Sequence, residues 1–323
     1  MNDCVYGFRI RGSVQERRWS VELSQAFAAH AACDPRAEVH RESYLSAFCF
    51  GRDFHEHLSA TRSTKKFRGP CGACWVSWDI DRENVEGALL DTRRLWQTLQ
   101  QEFTLLAEEV LIFFSGSKGF HLGLPTALWQ PTPSESLHRI TRQFAEDIAN
   151  KAGTVIDVGI CDQVRAFRAP NSKHPKTGLH KRRLSAEQLC TLSLSEIQQL
   201  AEQPAKFELP VIKRHEAKLA ALWAQAESTV QDKCASNTRS LVDPDGHEQL
   251  HRATLRFIQE GAQNGERVNR LFQAAANLTG CGCPRELLHA LFRESALDSG
   301  LAPGEVTRQI DNAFAYVKED ARV

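Results

Sequence analysis

Two aspartates separated by one apolar residue, Asp79 and Asp81, close the run WVSWDID that begins at Trp75. The run is dense in β-branched and aromatic residues and reads as a buried strand that delivers acid at its end. Side chains of a strand repeat every second residue, so the two carboxylates share a face roughly 7 Å apart at the backbone and can converge on metal ions. Ligation by oxygen alone favours Mg²⁺ or Mn²⁺. A bare DxD has a plainer reading, an acidic pair that ends the strand and caps the helix starting near Asn84, and the next motif is what shifts the balance.

Val110 to Phe114 is a second apolar run, Ser115 to Gly119 a Gly-rich turn, and Phe120 to Leu124 a returning strand, which together describe a β-hairpin. The turn suits an oxyanion. Gly116 and Gly119 let backbone N–H groups approach, Lys118 supplies positive charge, and His121 is the first polar side chain of the returning strand. Alone, such a turn is as well explained by solubility; beside the DxD the anion-binding reading is the stronger one.

A third acid, Asp157, lies inside VIDVGI, expected as a short strand from Val155 to Ile160, where a carboxylate is costly to bury unless paired or bound to metal. From Val164 to Ala186 every charged residue is basic: Arg165, Arg168, Lys173, Lys176, Lys181, Arg182 and Arg183, with His174 and His180 among them. Polyanion binding is the most direct use of such an excess in a chain whose formal net charge is zero. Arg165 and Arg168 flank Phe167 on an expected strand. KHPKTGLHKRR reads as a turn and its exit, for which a solvated basic loop is the simpler account.

The elements that must hold these residues follow from the rest of the chain. At 323 residues it can bury a substantial core and form two domains. Its 42% apolar and 25% charged content are ordinary for a globular protein, and bulk charge selects no partner. No apolar run reaches the ~20 residues that span a bilayer, and the first twelve residues lack a signal-peptide core, so no membrane partner and a cytoplasmic location are expected. Most of the ten cysteines are expected to be reduced and buried. Cys71 and Cys74 form a CxxC before the acidic strand, yet no second pair stands at a recognisable spacing, and zinc is not expected.

Helices are expected over Ser20 to Ala32, Asn84 to Phe103, Ser134 or Ser136 to Ala152, Ser185 to Gln203 and Lys213 to Val230, and a strand over Val5 to Ile10. Tyr44 to Phe50 is a strand or a short buried helix. Residues 231–246 are polar and turn-rich and read as a linker between a first domain, 1–230, and a second, 247–323. In the second, apolar faces recur at Val268, Leu271, Phe272, Ala275 and Leu278, at Leu287, Leu288, Leu291 and Phe292, and at Val306, Ile310, Phe314 and Val317, the pattern of a small helical bundle.

In order and spacing, the DxD of Asp79 and Asp81, SGSKGFH, then VIDVG, RAFR and NSKHPKTG resemble the catalytic domain of the archaeo-eukaryotic primase superfamily, over about residues 40 to 185. The resemblance implies an α+β chain: a mixed-sheet primase-like catalytic domain with an RRM-like module, followed by the all-α bundle. It implies that Asp79, Asp81 and Asp157 hold two divalent metals. Ser115, Gly116, Lys118, Gly119 and His121 would bind the nucleoside triphosphate, with Arg165 and Arg168 on the triphosphate or the template; the basic run then gives Lys173, Lys176, Lys181, Arg182 and Arg183 to the single-stranded DNA template. The family's zinc site follows the first motif, and no cysteine lies between Asp81 and His121. GERVNRLFQAAANLTGCG resembles the helix of primase C-terminal modules of plasmid and phage replication proteins, which makes a replicative helicase a candidate partner. The implied activity is primer synthesis. Alternatives are a polymerase that extends primers without starting them and a non-catalytic replication initiator.

Overall fold

The computed structural model describes residues 4–65, 67–239, 250–263 and 265–320. Within them the chain divides into two compact units, Met1–Val230 and Gln231–Val323.

The first unit is built on two sheets. In chain order its strands are Tyr6–Arg11 (β1), Arg18–Glu22 (β2), Ser43–Ser46 (β3), Cys49–Phe50 (β4), Cys71–Gly72 (β5), Trp75–Asp81 (β6), Leu111–Phe114 (β7), Gly119–Pro125 (β8), Ala166–Arg168 (β9) and Arg182–Leu184 (β10). One sheet runs β5-β4-β1-β3-β9 with β2 on β1, the other β10-β7-β8-β6. The sheets are not mixed as expected from the sequence: every pairing between these strands is antiparallel. The helix Val85–Glu102 (here αA) does carry the chain from β6 to a strand of the same direction, β7, but β8 returns between them and pairs with both. A tight turn makes that return cheaper than direct parallel pairing.

Burial along β6 alternates, with Val76, Trp78 and Ile80 fully enclosed and Trp75, Ser77, Asp79 and Asp81 on the opposite face. The enclosed face packs on αA and on Leu137–Lys151 (αB), whose Ala145 carbonyl accepts a hydrogen bond from Trp78 Nε1 at 3.0 Å. Each such side chain contributes roughly 1.5–3 kcal/mol of burial. Packing on that side therefore fixes which way the two acids point, because a slip of one residue would bury them and expose Trp78.

Elsewhere the structure departs from the local sequence pattern, and at Tyr44 to Phe50 it decides between strand and helix. Ser20 to Glu22 are strand rather than helix, because β2 pairs with β1 from Tyr6↔Glu22 to Ile10↔Arg18; the helix is Leu23–Ala31. Tyr44 to Phe50 is two short strands, β3 and β4. Ser185 to Gln203 is two helices, Ala186–Thr191 and Leu194–Leu200, each opened by its own capping box, on Ser185 with Gln188 and on Ser193 with Glu196. Nor are the cysteines mostly buried: of the nine whose side chains are described, only Cys49, Cys71 and Cys161 are.

The segment read as a linker, 231–246, is helical through Arg239, because the helix Ala217–Arg239 runs on past Val230; residues 240–246 lie outside those described. In the second unit, helices Arg252–Glu260, Arg267–Gly280, Arg285–Asp298 and Pro303–Asp320 enclose Phe257, Leu271, Ala275, Leu288, Phe292, Val306 and Ile310. Leu287 and Leu291, expected on the inner face of the third of these, are 48% and 37% exposed. Among the described residues no helix is long and apolar enough to cross a membrane.

Candidate active site

The second sheet turns its open face toward the first, and Asp79 pairs with His121 and Asp81 with Gly119 across β6 and β8. The two acids and His121 therefore stand on one side by register alone. From the other sheet, β9 brings Arg168 and Phe167, held by pairing Tyr44↔Arg168 and Leu45↔Phe167 with β3. Between them lies a pocket of about 320 Å³ lined by Asp79, Asp81, Ser115, Ser117, Lys118, His121, Arg165, Phe167, Arg168, Tyr44, His174 and Lys176. Beyond His121, Phe167 and Arg168 the same cleft continues as an apolar cavity of about 190 Å³.

Asp157 reaches this group from a direction other than the one expected. Val155 to Ile160 is not a strand; Val158–Cys161 is a 3₁₀ turn capped by Asp157, whose Oδ1 accepts from Gly159 N at 2.8 Å. A cap so close to Gly159 satisfies the backbone locally, and Val155 is 66% exposed rather than buried as a strand residue would be. The backbone N–H of Asp157 donates to the carbonyl of Asp79 at 2.9 Å, which ties the third acid to the end of the acidic strand. Its Oδ2 lies 3.9 Å from Arg165 Nη2, with the side chain about half exposed.

The electrostatics of the three acids differ. Burial works to raise the Asp79 carboxyl, but His121, Lys181 and Arg165 outweigh it and hold the group below the usual carboxylate range. Asp81 is pushed up to about 6, first by burial and then by Asp79, with Asp157 adding to it and Lys118 opposing. Burial lowers His121 to about 4, so its imidazole is neutral near pH 7. Its Nε2 is 3.3 Å from Asp79 Oδ1 outside hydrogen-bonding geometry, and Asp79 Oδ1, His121 Nδ1 and Arg168 Nη1 are buried with no hydrogen-bond partner. Each such orphan costs about 1–3 kcal/mol, which a bound group would relieve.

A divalent cation suits the two acids themselves: Asp79 offers a buried oxygen without a hydrogen-bond partner, and Asp81 is raised by burial and by the carboxylates beside it. As the side chains stand, no three His, Cys, Asp or Glu residues among those described are close enough to ligate one ion together.

The turn Ser115 to Gly119 is more closed than its glycines suggest. Ser115 Oγ accepts from Ser117 N at 3.3 Å and Gly119 N at 3.2 Å, so these two N–H groups face the turn's own hydroxyl. Gly116 has φ +85° and its carbonyl accepts from Thr177 Oγ1 at 2.6 Å, which docks the turn on the HPKTG loop. Lys118 is exposed at the rim.

The basic run divides. Lys173 and Lys176 are exposed, and Lys176 lines the acid pocket. Lys181, expected on DNA, is only 2% exposed; its Nζ donates to the Arg168 carbonyl at 2.8 Å and sits 4.0 Å from the Phe167 ring centroid and 4.9 Å from that of Phe113. Burial lowers its ammonium to about 7 and Asp79 pulls it back up. Arg183 spends its guanidinium on the carbonyls of Val110 at 2.8 Å, Ile112 at 3.3 Å and Leu184. Arg182, half-buried, donates to Gln203 O at 3.3 Å. β10 joins the second sheet as its edge, and that pairing turns the exit of the basic loop inward.

Of the pocket's lining residues, Tyr44 was not singled out from the sequence, and His174 was named only as a member of the basic run. Tyr44 accepts from Arg168 Nη2 at 3.4 Å, donates its hydroxyl to Glu42, and lies 5.2 Å below the guanidinium, but 124 positions separate it from Arg168 and only the strand pairing reveals the contact. His174 accepts from Lys176 N and Thr177 N at 3.3 Å each; its place in HPKTG was the available signal.

No family model and no curated protein matches the chain. A solved structure described as the crystal structure of primase RepB' is similar over 99% of this chain and 95% of that one, at 14% sequence identity and a TM-score of 0.35. Similarity of that size assigns neither activity nor site, and both rest on the chain's own residues.

Proposed function

We propose that the chain is a template-directed nucleotidyltransferase, a DNA primase or primase-polymerase that builds primers on single-stranded DNA from nucleoside triphosphates. One observation carries the reading: a single pocket sets two strand-borne carboxylates against Lys118, Arg165, Arg168 and Lys176. Acids alone would suit cation storage and bases alone phosphate binding. Facing sets suit the transfer of a nucleotidyl group, where charge moves along a triphosphate toward the leaving pyrophosphate.

Asp79 and Asp81 would hold the divalent ions, Mg²⁺ or Mn²⁺, with Asp157 joining from its turn. Two such ions supply activation of a 3′-hydroxyl and neutralisation of the leaving group. Lys118 and Arg165 would bind the triphosphate, and Arg168 would orient it from its seat on Tyr44. Neutral His121 serves as a hydrogen-bonding group rather than as a charge. Lys173 and Lys176 on the exposed loop suit the template backbone. In this reading the second sheet with αA and αB on its back is the RRM-like half of the catalytic domain, 1–230, and the helical unit assists initiation or recruits a helicase.

The test is synthesis of labelled oligomers by the full chain on unprimed single-stranded DNA with nucleotides and Mn²⁺ or Mg²⁺. Extension of a primed template without synthesis on unprimed DNA would identify a primer-extending polymerase instead. DNA binding without nucleotide incorporation in either assay would leave a replication initiator.

A further inference from the structure

Among the described residues, Lys181 is the one member of the basic run whose charged end is enclosed between the two sheets. Its backbone is fixed on both sides of the loop's neck, with Lys181 N donating to Ser172 O at 3.0 Å and Asn171 N donating to Lys181 O at 2.9 Å. Its side chain then crosses the cleft floor. Phe113 under it belongs to β7 of the second sheet; Phe167 over it and the carbonyl that it bonds, that of Arg168, belong to β9 of the first. β9 is only three residues long, pairs among the described strands with β3 alone, and carries Arg168 into the pocket with Arg165 just before it. So short an edge strand has little pairing of its own to hold it at a set distance from the acids.

We propose that Lys181 is a positioning residue, a clamp from the position just before β10 that holds β9, and with it Arg165 and Arg168, at triphosphate-binding distance from Asp79 and Asp81. This rests on the nucleotidyltransferase reading for what the arginines bind, but not for the clamp itself. The side chain is suited to clamping, since its four methylenes span the aromatic seam and its terminal nitrogen donates to a backbone carbonyl that no side-chain change in β9 would remove. Buried as it is, it contacts neither template nor nucleotide.

The test compares the full-length Lys181→Met variant, which keeps length and volume but loses the donor, with wild type by three readouts. Amide exchange at Ala166 to Arg168 should quicken while β7 and β8 keep their protection. Nucleoside triphosphate affinity should fall about tenfold, the scale of one lost hydrogen bond to a charged group. Mn²⁺ binding, read by electron paramagnetic resonance, should be unchanged or tighter, because a cation beside Asp79 is gone. Lys181→Gln, with an N–H donor on a shorter chain, should fall between wild type and Met in affinity and also serves should the Met variant not fold.

Unchanged exchange at β9 in Lys181→Met overturns the clamp, as does a Gln variant no better than Met. Equal losses of Mn²⁺ and nucleotide binding would mean general collapse of the site and also overturn it. A fall of about one in the salt slope of single-stranded DNA binding would return Lys181 to the template and overturn it too. If wild type binds no triphosphate, the functional reading fails while the exchange result still decides the clamp.

Discussion

Gly119 stands directly opposite Asp81 in the β6–β8 pairing, and a Cβ on it would lie 2.0 Å from the Ile80 carbonyl oxygen and 2.5 Å from Asp81 Oδ1. The glycine is what lets the acidic strand end beside the turn. Gly119→Ala should therefore spread the pair at the point where the second carboxylate stands, costing about 1–3 kcal/mol of stability. Nucleotide transfer should fall at least about tenfold, by displacement of Asp81 rather than loss of any functional group. Thermal unfolding and single-turnover rates measure the two effects; a variant as active as wild type would mean that Asp81 need not sit where β8 holds it.

Asp79→Asn, Asp81→Asn and Asp157→Asn should each abolish incorporation and leave circular dichroism unchanged, since removing repulsion among acids rarely destabilises a fold. The structure adds an order to their stabilities. Asp81, raised by its neighbours, should give a variant at least as stable as wild type, whereas Asp79, held below the usual range by His121, Lys181 and Arg165 against its burial, should give the least stable of the three. Near-normal activity in any one variant would remove that residue from the proposed metal set.

Asp81 and His121 oppose one another in the same pH window. Asp81 moves from 3.8 to about 6 on folding, so between these values the unfolded chain has lost a proton that the fold retains, and stability falls as pH rises. His121 moves from 6.5 to about 4, so there the unfolded chain holds the extra proton, and stability rises with pH. In metal-free protein Asp81→Asn should gain melting temperature over wild type as pH is raised from about 4 to about 6. His121→Gln should gain over wild type as pH is lowered from about 6.5 to about 4. Parallel profiles for both variants would show that one of the two environments is wrongly read.

The hairpin, the helix after the acidic strand and the shared face of Asp79 and Asp81 were legible because each is a local pattern: period two in β6, an Asn84 cap, a Gly-bearing turn. What was not legible depends on partners distant in sequence. Asp157 looked like a buried strand residue because VIDVG has strand composition, but among the described residues no second strand pairs with it beyond the single bond to Asp79. Lys181 and Arg183 were expected on the DNA template as part of the basic run, and only the pairing of Arg183 with Phe113 and Leu184 with Ile112 turns the end of that run inward. Tyr44 was invisible as a site residue for the same reason. Composition states that a residue is basic or aromatic; strand order decides whether it meets solvent or an acid.

The divided basic run gives a division of effects. Lys118→Ala and His121→Ala should chiefly raise the KM for nucleotide. Lys173→Ala should chiefly weaken single-stranded DNA binding and reduce the magnitude of its log–log salt slope by roughly one. Arg183→Ala should do neither and instead lower stability, because three backbone carbonyls lose their donor. Titrations of each variant at two or more salt concentrations separate these; a salt-slope change in Arg183→Ala with intact stability would put that residue back on the template.

Starting a chain requires two nucleotides and a template to be held without a primer, which demands more binding free energy than extending a duplex already in place. A tethered second unit can supply part of it by raising the local concentration of a template contact. The helix Ala217–Arg239 buries Leu219, Trp223, Ala226 and Val230 in the core of the first unit, so a cut within it would open that core. A chain ending at Arg239 keeps those contacts. It should fold, extend primed templates at near wild-type rate, and start new chains at least about tenfold more slowly than the full chain. Initiation equal to that of the full chain would give residues 247–323 another role, such as holding a helicase. Loss of extension and initiation together, with unfolding, would show that the first unit depends on the second and that the proposed boundary is misplaced.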